Sequence, residues 1–121
     1  MTLLYTEVEE ELRGTVRDLL ADMLPPAAVL ARIETAPPYD TDLWKALARD
    51  IGVAGLLIPE ELGGAGASAR EVAVVLEELG RGVAPVPFLT SSVLSTVALL
   101  AAGTPEAREL LARLATGEAT A

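Results

Sequence analysis

The residues of this chain that could do chemistry fall into three groups. They are the carboxylate pairs Glu60-Glu61 and Glu77-Glu78, the glycines Gly63, Gly64 and Gly66, and the hydroxyls Ser91, Ser92, Ser95 and Thr96. Paired carboxylates do acid–base work when both face one substrate, but neighbours on a helix point about 100° apart. Solvated faces and caps account for these glutamates more simply. Glycines ahead of a helix can cradle a phosphate. The P-loop pattern, however, ends in lysine and a hydroxyl residue, and Ala67-Ser68 brings no lysine. The dinucleotide pattern needs a strand of a parallel sheet before its glycines, and none is expected here. The glycines therefore read as a tight loop with unusual dihedral angles. The four hydroxyls interrupt the most apolar segment, where they either bond back to a carbonyl one turn earlier or line a cavity beside the bundle.

Composition closes off other chemistry. With no cysteine and no histidine, the chain has no disulfide, no thiol nucleophile, no imidazole base and no ordinary zinc site. Eighteen acidic against nine basic side chains give a formal charge of −9, which repels phosphate backbones and anionic lipid surfaces. Nucleic-acid and membrane-surface partners are not expected. The acidic start lacks the basic region of a secretory or transit signal, and the longest apolar run, residues 93–102, is too short to span a bilayer. A cytoplasmic setting is the expectation. An acyl carrier protein would need serine after aspartate, and no serine here follows one.

The elements that must position these residues are helices. Aromatics are only 3% of a chain dominated by alanine and leucine, which favours helix over sheet. Thr6 with Glu9 fits a capping box, and Val8, Leu12, Val16, Leu19, Leu20 and Met23 follow at helical spacing up to Pro25-Pro26. A short helix is expected over 27–34. A third starts at Asp40 or Thr41 and runs to about Ile51, with Trp44 as a core anchor. Residues 53–58 form an apolar run with no strand to pair with, so a buried connector is expected. A second capping box, Ser68 with Glu71, opens a helix striped by Val72, Val75, Leu76 and Leu79 and stopped by Gly80 and Gly82. The next begins near Phe88; because residues 93–102 are apolar all round, it is expected at the centre of the bundle. Thr104-Pro105-Glu106 starts the last helix, with Ala107, Leu110, Leu111 and Leu114 as its buried stripe. The fold class is all-α, a bundle of five to six helices.

The ordered set Trp44, Gly52-Val53-Ala54-Gly55-Leu56, Pro59-Glu60-Glu61-Leu62-Gly63-Gly64-Ala65-Gly66 and Glu77-Glu78-Leu79-Gly80-Arg81 resembles the N-terminal domain of acyl-CoA dehydrogenases. The resemblance implies that residues 1–121 are that helical domain, with the family's central β domain and C-terminal helical domain outside this chain. In the family FAD is held mainly by the two later domains, and the base is usually a C-terminal glutamate. No catalytic or cofactor-binding residue is therefore expected here, and none of Glu60, Glu61, Glu77 and Glu78 inherits such a role. The helix after the Glu-Leu-Gly turn supplies part of the acyl-pocket wall, which places Ser91, Ser95, Thr96 and Leu99 nearest the substrate tail. The Pro85-Val86-Pro87-Phe88 lead-in resembles actinobacterial members, some of which take bulky or ring-containing acyl groups. The intact enzyme is expected to dehydrogenate acyl-CoA thioesters at the α,β position as a homo- or heterotetramer and to pass electrons to an electron-transfer flavoprotein. The chain alone is expected to be inactive and to hold no stable FAD. The same domain in an acyl-CoA oxidase or flavin monooxygenase, or a free-standing helical interaction module, is the alternative.

Overall fold

The structure, a computed structural model, describes residues 3–121 and contains six α-helices and no strand among them. They are α1 (Glu7–Met23), α2 (Pro26–Ile33), α3 (Thr41–Lys45), α4 (Ala69–Gly82), α5 (Thr96–Ala102) and α6 (Pro105–Ala115). Two of them are parts of longer, wider helices. α3 continues as a π-helical stretch over Ala46–Ile51, and α5 is preceded by one over Phe88–Ser95. Both capping boxes form, Thr6 with Glu9 and Ser68 with Glu71. Asp40 caps α3, and Thr104 caps α6 by accepting from the Ala107 amide.

The main core gathers Val16 and Leu20 of α1, Leu43, Trp44 and Leu47 of the third helix, the connector Val53–Leu56, the α4 stripe and Phe88. Trp44 is the anchor its composition suggested, although its indole N–H meets no acceptor. The connector is buried and turns as a short 3₁₀ piece over Val53–Gly55. A smaller cluster joins Ile58 to Leu111, Leu114 and Ala115 of α6, with Leu99 against it.

Four expectations need correction. Val8 is 70% exposed: α1 buries Glu9 instead, because that carboxylate has Arg70 of α4 to receive it. Leu110 is 43% exposed, and α6 buries Ala115 in its place. The left-handed position after α4 falls on neither glycine but on Val83, at φ 51°. Finally, the helix of residues 88–102 is not central. Leu94 and Val97 are more than half exposed, because the other helices cover only one of its sides.

Candidate functional site

The glycine loop is explained by its own hydrogen bonds. The Gly63 amide donates to Glu60, that of Gly64 to Pro59, Ala65 to Gly55, Gly66 to Ile58 and Ala67 to Leu56, over 2.7–3.1 Å. With its amides spent, the loop has none left to cradle a phosphate. A hollow of about 610 Å³ does border it, with Arg49 and Glu118 in its lining, but the backbone donors point elsewhere. Gly64 is required by closeness: a Cβ there would lie 2.0 Å from the Ile58 carbonyl oxygen. The tight-loop reading holds.

The glutamates separate into two kinds. Glu60 and Glu61 are exposed on a 3₁₀ turn. Glu77 and Glu78 face α1, which runs parallel to α4: Glu9 meets Arg70 at one end, and at the other Leu20 lies beside Gly82. Between them the Arg13 guanidinium donates to Glu77 and to Glu78, both at 2.8 Å, and Arg17 donates two bonds to Glu78 at 2.7 and 3.0 Å. Tyr5 donates its hydroxyl to Glu77, and its ring lies under the guanidiniums of Arg13 and Arg70. Glu78 is only 2% exposed, so a solvated face does not describe it. Local spacing could not show this, because its partners are more than 60 residues away in sequence.

These contacts also settle the electrostatics. Hydrogen bonds from Arg17 hold the Glu78 carboxyl below its ordinary range, and those from Arg70 do the same for Glu9. The Tyr5 hydroxyl, with Arg13, lowers Glu77. A general base working near neutrality needs the opposite shift. The cluster fastens α1 to α4. No group of three or more potential metal ligands occurs among the described residues.

The hydroxyls of the wide helix are more instructive. Thr96 is fully buried and its hydroxyl donates to the Ser91 carbonyl at 3.2 Å, five residues back, about one turn of the widened helix. This is the back-bonding anticipated for the group. Ser91 is also buried, and its hydroxyl reaches forward to the end of the chain. It donates to the Ala121 oxygen at 2.9 Å and accepts from the Ala121 amide at 2.7 Å. Ser92 is buried without a partner. Ser95 and Leu99 are half-buried and keep accessible surface. The four residues expected at the acyl wall thus share one helix, two with engaged hydroxyls and two with open area. What sequence reading missed is the open apolar face beside them, Leu94, Val97 and Leu100. Its signal was the all-round apolar pattern of residues 93–102.

The glycine loop does not offer the free backbone donors of the glycine turn in a doubly-wound dinucleotide fold, since its amides are taken. No helix among the described residues is long and apolar enough to cross a membrane.

Comparison with known proteins accords with this arrangement. A family model for the acyl-CoA dehydrogenase N-terminal domain matches residues 6–118. Acyl-CoA dehydrogenase IpdE2 of Mycobacterium tuberculosis is 45% identical over 113 residues, which is 93% of this chain and 35% of that protein. Acyl-CoA dehydrogenase FadE27 of the same organism is 33% identical over 109 residues, covering 90% of this chain and 29% of the relative. Among solved structures, a chain of the ChsE4-ChsE5 complex from Mycobacterium tuberculosis superposes with a TM-score of 0.88 at 30% identity, covering 99% of this chain and 33% of that one. A variant of the Tcur3481-Tcur3483 steroid ACAD gives 0.82 at 35% identity, covering 94% of this chain and 31% of its own. The chain spans about a third of the length of the relatives it matches. It belongs to the acyl-CoA dehydrogenase family, as that family's N-terminal domain.

Proposed function

We propose that this chain forms one wall of the acyl pocket of a FAD-dependent acyl-CoA dehydrogenase and packs against the parts that hold the flavin. The observation that carries this reading is the helix of residues 88–102. Phe88 and Thr96 seat one side of it in the bundle, while Leu94 and Val97 leave the other side apolar and open. A surface of that kind is costly unless something apolar covers it, as an acyl group and a neighbouring domain would. Ser95 and Leu99, with their remaining accessible surface, are the substrate contacts. Thr96 contributes by a hydrogen bond within the wide helix, and Ser91 by tying that helix to Ala121.

The substrate class follows from the same helix and from the relatives. Ser95 is small for a wall position, and a small side chain there suits a bulky acyl group. One structural relative is described as a steroid ACAD, which supports acyl-CoA thioesters with ring-containing tails. Heteromeric assembly is the matching reading of partners, since another relative is a ChsE4-ChsE5 complex. FAD and the base come from outside this chain, and an electron-transfer flavoprotein takes the electrons.

The test is expression of the encoding reading frame, alone and together with neighbouring acyl-CoA dehydrogenase genes. Yellow flavin in the assembled preparation and oxidation of a ring-bearing acyl-CoA are expected, with neither from the 121-residue chain alone. Ser95→Trp should then lower kcat/KM for the bulky thioester far more than for a short one. Equal losses for both would remove Ser95 from the wall, and an assembled preparation without flavin would sink the enzyme reading.

A further inference from the structure

The helix of residues 88–102 is wide at its start and regular at its end, and the change of width decides which of its hydroxyls leaves the core. In an unbroken α-helix the residue seven positions on returns to the same face. Ser95 would then stand behind Phe88, against the core. Instead Phe88 and Thr96 are buried, at 1% and 0% exposure, while Ser95 is only half-buried. The cause is the π-helical stretch Phe88–Ser95, whose bonded turns span five residues where an α-helix spans four. The extra width brings Thr96 into the core in place of Ser95.

Thr96 sits where the wide turns give way to α5. Its amide donates to the Val93 carbonyl, three residues back, so the helix narrows at this residue. Its hydroxyl donates to the Ser91 carbonyl, five residues back, at 3.2 Å. The side chain thus spans a wide turn that its own amide has left. At 0% exposure it has no surface to offer an acyl group and can act only through its neighbours.

On the acyl-wall reading above, we propose that Thr96 is a positioning residue for acyl selectivity: its hydroxyl holds the wide turn, and the wide turn presents Ser95 to the substrate tail. Without that hydroxyl the buried Ser91 carbonyl loses a donor, and a regular α-helical turn becomes the cheaper arrangement. Rewinding by one residue rotates the wall by about 100°, which returns Ser95 toward the core.

Thr96→Val keeps the branched shape and deletes the hydroxyl. In the flavin-bearing assembled enzyme, the ratio of kcat/KM for a ring-bearing acyl-CoA to that for a short one should fall roughly tenfold, mostly through KM, because binding of the tail is what is lost. Thr96→Ser keeps the donor and should hold the wild-type ratio even where thermal melting shows lower stability. If Thr96→Val does not assemble, Thr96→Ala measured against Thr96→Ser isolates the hydroxyl in its place. An unchanged ratio in Thr96→Val, whether both thioesters lose alike or neither does, overturns the proposal, as does a Thr96→Ser that shifts the ratio equally. Ser95→Trp, measured alongside, separates two failures. A ratio that falls with Ser95→Trp but not with Thr96→Val leaves the wall standing without this role for Thr96, and a ratio that neither variant moves removes both.

Discussion

Replacing Glu78 with glutamine keeps the shape of the side chain and removes its charge. The wild-type carboxylate accepts from Arg13 at 2.8 Å and twice from Arg17, at 2.7 and 3.0 Å. In Glu78→Gln one amide oxygen remains to accept, while the amide nitrogen turns donors toward donors. Removing a partner from a fully buried ion pair costs about 3–5 kcal/mol. That figure is too large here. Arg13 keeps Glu77, and the Arg17 side chain is 46% exposed and regains water. The range for hydrogen bonds to charged groups, centred near 2 kcal/mol, is the better guide. For a domain of this size that lowers the thermal midpoint by about 8 °C. The pH dependence gives a second readout. Arg17 holds the folded-state pKa of Glu78 below its unfolded value, so this stability is present above the unfolded value and is lost as pH falls through the folded one. Wild type and Glu78→Gln should differ by a constant amount from pH 7 to about pH 5 and converge below about pH 4. Urea denaturation at several pH values measures this. Equal stability at pH 7, or a gap that widens in acid, would refute the latch.

Three further substitutions probe the backbone and the wide helix. Gly64→Ala places a Cβ 2.0 Å from the Ile58 carbonyl oxygen, backbone that cannot yield cheaply, and should cost more than about 3 kcal/mol; a normal melting curve would show that the loop is not packed as described. Val83→Gly removes the left-handed strain at φ 51° and should raise stability by about 0.5–1 kcal/mol after the entropy of glycine is discounted, as read by thermal melting. Ser91→Ala frees the Ala121 amide, which should exchange with deuterium much faster while amides of α4 keep their protection. Unchanged exchange at Ala121 would mean that the hydroxyl does not hold it.

Much of the fold was legible because its signals are local. Thr6 with Glu9, Ser68 with Glu71, and Thr104 before Pro105 each lie within one helical turn, and each became a helix start. Trp44 found the core because a large apolar ring has few other places to go. The misreadings are nonlocal. Val8 has the spacing of a buried position and Glu9 that of an outward one, yet Arg70, 61 residues on, reverses them. Nothing within a turn of Glu78 reveals Arg13 and Arg17 either. Charges that meet across two helices are invisible to a periodicity that describes one.

The helix of residues 88–102 failed differently, and more usefully. A helix that is apolar all round must be covered all round, and the inference to the centre of a bundle assumes that one chain supplies all the cover. The other helices of this chain supply one side only, and Leu94, Val97 and Leu100 remain open. On the proposed reading the pattern still describes burial, with another body covering the side this chain leaves open. The chain spans about a third of its relatives, which is why the proposal gives this open face to a neighbouring body. By the same logic the covered hydroxyls of Ser91 and Thr96 and the open side chains of Ser95 and Leu99 belong to one design. In the proposed acyl wall Thr96 bonds within the widened helix and Ser91 ties it to Ala121, so that Ser95 and Leu99 stand where another body or an acyl tail can meet them.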